Sequence, residues 1–414
     1  METHELDQLA AEAELDSKDI HDSINRLVEH NQARVLSAFR DQQVSDSHFN
    51  PTTGYGYDDM GRDKLEQVYA DVFGGEDALV RPQIVSGTHA ITISLFGMLR
   101  PNDELLYITG APYDTLEEIV GVRGSGNGSL KDFHIGYHHI DLLENGAVDF
   151  QEVQKSITSQ TKVVGIQRSK GYADRPSFTI AEIKEMIEFV KGINPEIIVF
   201  VDNCYGEFAE EQEPIHVGAD LIAGSLIKNP GGGLARTGGY IAGKKTLVEQ
   251  CANRLTAPGL GKETGATLHS LQEMYQGLFL APHVVGEAMK GAVFTSRFLE
   301  KLGFITTPHY KAKRTDLIQS VTFNTAEQMV AFCQEIQKAS PINSHVTPYP
   351  SYMPGYEHDV IMAAGTFVQG ASLELTADGP IREPYTAFVQ GGLTYAHVKI
   401  AIKMAVIRLL KIPG

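Results

Sequence analysis

Gly224-Ser225-Leu226-Ile227-Lys228-Asn229-Pro230-Gly231-Gly232-Gly233 sets a lysine between an apolar pair and a proline followed by three glycines. Proline and glycine take the backbone out of regular structure just where the ammonium is presented. A solvated lysine in a glycine turn would explain such a stretch. So would a lysine fixed at a strand-to-loop junction, with a pKa depressed by its apolar surroundings and a use as a covalent nucleophile. The upstream sequence favours the second. Val163-Val164-Gly165-Ile166-Gln167 and Ile197-Ile198-Val199-Phe200-Val201 are short apolar runs of the kind found in parallel strands covered on both faces. The second run leads into Asp202-Asn203-Cys204-Tyr205-Gly206-Glu207-Phe208.

An aspartate closing one buried strand and a lysine closing another, a short α/β interval later, form the pair that pyridoxal phosphate needs. The lysine makes a Schiff base, and the carboxylate holds the pyridine nitrogen protonated so that the ring accepts electrons. Asp202 could equally cap a following helix, so its order relative to Lys228 is the stronger signal.

The 414 residues exceed what one core normally serves. Hydrophobic content of 42% with 21% charged residues is that of a globular chain. A net charge of −17 argues against nucleic acid or an anionic membrane as partner. The sequence has neither an apolar run of membrane-spanning length nor a basic-then-apolar leader, and a cytoplasmic location is expected. Cys204, Cys251 and Cys333 are scattered and odd in number, which suits a reducing compartment. Gly136 interrupts any helix that would align His134, His138 and His139, so no metal is expected there.

Residues 1 to about 45 recur at helical intervals in Ile20, Ile24, Leu27, Val28, Val35, Leu36 and Phe39. Such an amphipathic arm calls for a partner or another domain to pack on. Asn50 to Arg62 is an irregular loop holding Tyr55 and Tyr57, and a helix from Arg62 to Phe73 stops at Gly74-Gly75. Ser86-Gly87-Thr88-His89 opens an apolar helix with small polar residues, which suits either an ordinary cap or an anion site. A strand at Glu104 to Ile108 ends in Ala111-Pro112-Tyr113-Asp114-Thr115, placing Tyr113 where an aromatic ring can stack on a flat cofactor. Arg168, Ser169 and Tyr172 follow the Val163 strand at the sheet end where α/β proteins bind ligands. Further on, Ala235 to Gly243 reads as an antiparallel edge strand, and the glycine loop from Ala257 to Ala266 could close over a phosphate. A helix from about Pro282 to Leu302 leads to strands near 318–323 and 366–376 and helices near Ala326–Lys338 and Tyr395–Leu410. Within that part, Gly379-Pro380-Ile381-Arg382-Glu383-Pro384-Tyr385 holds an arginine in a proline-restricted loop.

These motifs together resemble the fold-type I pyridoxal phosphate enzymes. More narrowly they are similar to the bacterial aluminium-resistance family related to cystathionine β-lyase and methionine γ-lyase. The resemblance implies a large, mostly parallel α/β sheet domain with helices on both faces and a smaller α+β C-terminal domain. The expected divisions are an arm over 1–50, a cofactor domain over 51–290 and a small domain over 291–414. By the same likeness Lys228 carries the Schiff base, Asp202 faces the pyridine nitrogen and Tyr113 stacks on the ring. Ser86, Gly87, Thr88 and Ser225 hold the phosphate. Arg382 takes the substrate carboxylate, with Arg168 and Arg175 as rivals, and Tyr55, Tyr57 and Arg62 loosely match an element shared between subunits of a homodimer or homotetramer. Ile227 stands where the related lyases have a threonine. The implied activity is carbon–sulfur elimination from a sulfur-containing amino acid. Transamination, aldol cleavage on the same scaffold, or a cofactor-binding metal-tolerance protein with little turnover are the alternatives.

Overall fold

The computed structural model describes residues 3–412 apart from 174, 354 and 355. In chain order α1 (Thr3–Asp41) and α2 (Met60–Phe73) precede β1 (Asp77–Arg81), α3 (Gly87–Met98), β2 (Glu104–Tyr107), α4 (Asp114–Val120) and β3 (Gly136–His139). Then come α5 (Phe150–Ser156), β4 (Thr161–Gln167), α6 (Ile180–Ile193), β5 (Ile198–Asp202), β6 (Leu221–Ser225), β7 (Gly239–Gly243) and α7 (Lys245–Leu255). The remainder is α8 (Leu271–Lys301), β8 (Ile305–Thr307), β9 (Gln319–Phe323), α9 (Ala326–Lys338), β10 (Val360–Ala363), β11 (Thr376–Pro380), β12 (Tyr385–Gln390) and α10 (Tyr395–Leu409).

The chain forms two compact units, one of residues 32–279 and one of 1–31 with 280–414. Neither division falls at the expected positions 50 and 290. The larger unit carries a seven-stranded sheet in the order β1-β7-β6-β5-β4-β2-β3. Strands β2 to β6 run parallel, β7 pairs antiparallel with β6, and β1 pairs antiparallel with β7 and so runs in the direction of the parallel set. Every residue of β6 and β7 is buried, and the apolar runs of β4 and β5 are sealed on both faces, as their composition requires. The expectation of an edge strand at 235–243 is corrected here: β7 lies between β1 and β6, and β1 is the edge. Nothing local in Gly239–Gly243 separates the two cases, because the neighbour that covers β7 comes from 160 residues upstream.

The smaller unit has a five-stranded antiparallel sheet, β10-β11-β12-β9-β8. Its core draws on Phe294, Phe298, Phe332 and Ile402, and on Leu6, Ala10 and Ala13 of α1. Lys399 and Tyr395 meet Glu14, and Arg297 meets Asp16, so the start of α1 finds apolar and ionic partners within its own chain. Two boundaries differ from the expected ones. Helix α8 begins at Leu271 and carries Pro282 in its interior, because the apolar spacing of Leu271, Met274, Tyr275 and Leu278 already belongs to it. The strand expected over 366–376 is displaced to Thr376–Pro380. Residues 366–375 are instead held irregular by Glu374, whose carboxylate accepts the Phe367 and Val368 N–H groups at 2.8 and 2.9 Å.

Candidate active site

The carboxyl ends of β4, β5 and β6 lie side by side, with Gln167 paired to Asp202 and Asp202 to Ala223. Parallel pairing brings three strand-end residues to one edge, Gln167, Asp202 and Ser225, and the loop after β6 brings Lys228 there. A cavity opens at this edge. Gly87, Thr88, Tyr113, Gln167, Ser169, Gly171, Asp202, Cys204, Tyr205 and Lys228 are among its lining residues.

Each wall has a local cause. Ser86 caps α3, accepting the His89 N–H at 3.0 Å, and helix geometry leaves the Gly87 and Thr88 N–H groups without intrahelical acceptors. A Cβ at Gly87 would lie 3.1 Å from Cys204 Sγ and 3.4 Å from Ser225 Cβ, so a side chain there would crowd the strand ends against which this helix end packs. Tyr113 is placed by its backbone N–H, which donates to Gln167 Oε1 at 2.8 Å. Gln167 Nε2 in turn donates to Ser169 O at 2.8 Å. Gln167 was not singled out from the sequence, although a lone polar residue ending an apolar strand was a visible signal.

Asp202 ends β5 as expected, but no helix follows it to be capped. Its Oδ1 accepts the Cys204 N–H at 3.1 Å. Burial raises the Asp202 pKa, against the pull of the Lys228 charge and of Cys204. Burial also pushes the Cys204 thiol well above its usual range. Lys228 departs from the expectation of a depressed pKa. Burial acts to lower it, but the acidic surroundings of Cys204, Tyr205, Asp202 and Glu207 outweigh that effect and raise it. The apolar neighbours Leu226 and Ile227 were visible in the sequence, whereas the acids brought in from the β5 loop were not.

Other expected residues lie elsewhere. Arg168 is completely buried (0% exposed) and does not line the cavity; its guanidinium engages Asn203 at 2.9 Å, Glu210 at 3.4 Å and Glu213 at 3.5 Å. The expectation that it binds substrate is therefore corrected to a structural role. Arg175 reaches the site's edge, donating to the carbonyls of Gln167 and Ser169. Tyr55 and Tyr57 stack on one another with 5.4 Å between ring centroids and are 73% and 54% exposed. Arg62 is buried, bonded to Gly56 O at 2.6 Å and Asp63 at 2.9 Å, which removes it from the residues offered to a partner subunit. The glycine loop around 261–266 is held by Arg81, which donates to Thr264 O and Lys262 O, and by Gln83, which donates to Ala266 O. Arg382 occupies the turn between β11 and β12 of the smaller unit and is exposed.

The family profile described as methionine gamma-lyase matches residues 6–410. The chain belongs to the methionine gamma-lyase family. The Bacillus subtilis protein YnbB is 69% identical to this family member over 407 residues, covering 98% of this chain and 97% of YnbB. A Listeria monocytogenes structure of a protein involved in aluminum resistance is 66% identical, with a TM-score of 0.96 over 97% of this chain and 100% of that one. A carbon-sulfur lyase involved in aluminum resistance from Clostridium novyi is 48% identical, with a TM-score of 0.95 over 98% and 96% of the two chains. Far more distant enzymes share the fold-type I architecture. The group implied by the methionine gamma-lyase family is pyridoxal 5′-phosphate, and the cavity fits it on its own terms. Ser225 Oγ is buried without a hydrogen-bond partner at the end of β6, and a Cβ added at Gly87, the first residue of α3, would lie 3.4 Å from the Ser225 Cβ. A hydroxyl left so is matched by an anionic oxygen.

Proposed function

We propose that this protein is a pyridoxal phosphate-dependent carbon–sulfur lyase that eliminates the β- or γ-substituent of a sulfur-containing amino acid. The observation that carries the reading is the meeting of Lys228, Asp202 and the opening of α3 at one cavity. When bound, pyridoxal phosphate supplies an electron sink for the carbanion formed at the substrate Cα. Lys228 would be the covalent anchor for that group, and its Nζ, when free, would take the α-proton of the substrate. Asp202 pairs with the pyridine nitrogen, a role suited to a carboxylate buried at a strand end. The N–H groups of Gly87 and Thr88, with Ser225 Oγ, hold the phosphate, and Ser86 orders that turn by capping α3. Tyr113, positioned by Gln167, packs on the ring. Arg382 takes the substrate carboxylate, since a guanidinium binds it through two parallel hydrogen bonds.

The working form is a homodimer or homotetramer in which the exposed Tyr55–Tyr57 pair faces a partner subunit's site. Three buried cysteines, none in a disulfide, support work in the cytoplasm. Among the described residues no helix is long and apolar enough to cross a membrane. Borohydride reduction of the yellow protein followed by peptide mass mapping tests the central assignment: a label on Lys228 is expected, and a label on any other lysine overturns it. A panel of amino acids read for keto acid and for sulfide or thiol then identifies the leaving group. Turnover that needs a keto-acid acceptor would overturn the lyase reading.

A further inference from the structure

The strand-end motif contains a residue that neither the cofactor nor the substrate reading uses. Tyr205 has φ of +71°, in the left-handed region that a residue with a Cβ rarely adopts. The surroundings hold it there. Asn229, completely buried, donates from Nδ2 to Tyr205 O at 3.0 Å and to Glu207 O at 2.9 Å. Asn229 directly follows Lys228, so one side chain ties the lysine's own loop to the turn that carries the tyrosine. The outcome is a ring whose centroid lies 4.0 Å from Lys228 Nζ, in the same cavity wall as Asp202 and Tyr113. A glycine at 205 would relieve the backbone at no cost to the turn. Strain retained beside a reactive group is a mark of positioning.

We propose that Tyr205 is a positioning residue for Lys228: its ring face holds the lysine Nζ at the cavity wall, and Asn229 holds the ring in place. The inference rests on Lys228 being the cofactor lysine. The groups that face this ammonium are Cys204, Tyr205, Asp202 and Glu207. A close ion pair with either carboxylate would fix Nζ to one oxygen and oppose its deprotonation. A ring face attracts the cation without a directional bond, and the attraction lapses when the amine loses its proton, because it depends on the charge. Tyr205 therefore keeps Nζ in place while it is charged and releases it as it becomes a nucleophile.

The test follows pyridoxal phosphate capture by the full-length protein freed of cofactor, read by visible absorbance across a pH series. Tyr205→Phe keeps the ring face and is expected to keep both the wild-type pH midpoint and the high-pH rate. Tyr205→Leu loses the stabilisation of a partly desolvated cation, so its midpoint falls by about 0.5–1 pH unit. Its high-pH rate is unchanged, because the neutral amine is not held by the ring in either protein. Asn229→Ala leaves the ring chemistry intact but frees the turn, and lowers the midpoint in the same way; it decides the matter alone should the leucine variant not fold. Leucine and wild type agreeing in the midpoint would overturn the proposal. So would a phenylalanine variant whose midpoint falls as far as that of leucine, which would place the role on the hydroxyl. Peptide mapping of each product separates the two levels: attachment at another lysine refutes the cofactor assignment, whereas attachment at Lys228 with an unmoved midpoint refutes only the role of Tyr205.

Discussion

Ser225→Ala should stabilise the cofactor-free protein and weaken the cofactor at the same time. Ser225 is 1% exposed, and its Oγ is buried without a hydrogen-bond partner. Keeping a hydroxyl dry and unpaired costs about 1–3 kcal/mol, which alanine removes while adding no atoms to a wall already touched by Gly87. The unfolding entropy of a 414-residue chain is about 0.9 kcal/mol/K at ~2.1 cal/mol/K per residue, so each kcal/mol corresponds to a rise of about 1 °C in the melting temperature. The cofactor-free variant should thus melt about 1–3 °C higher. With cofactor the sign reverses. A hydroxyl bonded to a phosphate oxygen is worth about 1.5–3 kcal/mol, so the alanine variant should bind pyridoxal phosphate about ten-fold to a hundred-fold more weakly. Melting curves with and without cofactor, together with equilibrium dialysis, read both effects on one preparation. A variant that melts lower without cofactor and binds it as tightly as wild type would refute the reasoning, and Ser225 would be an ordinary core residue.

Other expectations concern charge. Burial pushes the Glu207 carboxyl up to about 8, so between its ordinary range and that value the folded chain holds a proton that the unfolded chain has lost. Stability therefore falls as pH rises through this window, by up to roughly 5 kcal/mol, and Glu207→Gln should flatten the slope between urea midpoints measured at pH 5 and pH 8. A wild-type slope of opposite sign would show that Glu207 does not dominate there. Arg168→Met should destabilise the fold by about 3–5 kcal/mol, because Glu210 and Glu213 would lose a buried counter-charge; an unchanged denaturation midpoint would contradict the structural role. Arg382→Ala, on an exposed turn, should leave that midpoint within about 0.5 kcal/mol and lower kcat/KM for amino acids by about thirty-fold to several hundred-fold. Should amino-acid binding be untouched, the carboxylate site moves to Arg175.

Where a signal is short in range, the amino-acid order was enough. The runs at 163–167 and 198–201 are strands because β-branched and apolar side chains favour an extended, doubly covered backbone. Ser86 and Gly74 mark helix ends through a hydroxyl that accepts a free N–H and a backbone that turns left-handed. The order of Asp202 and Lys228 at the ends of successive buried strands was enough to forecast that both reach one sheet edge, since parallel strands all end on the same side.

Tertiary structure alone decided which charges meet. Whether β7 is an edge depends on β1, whether Arg168 faces a ligand or a buried acid depends on the loop after β5, and the proton affinity of Lys228 depends on acids brought in from another loop. Each of these rests on atoms a few ångströms apart in space but tens of residues apart in sequence. Burial magnifies their effect, because in a low-dielectric interior a single neighbouring charge outweighs every local preference.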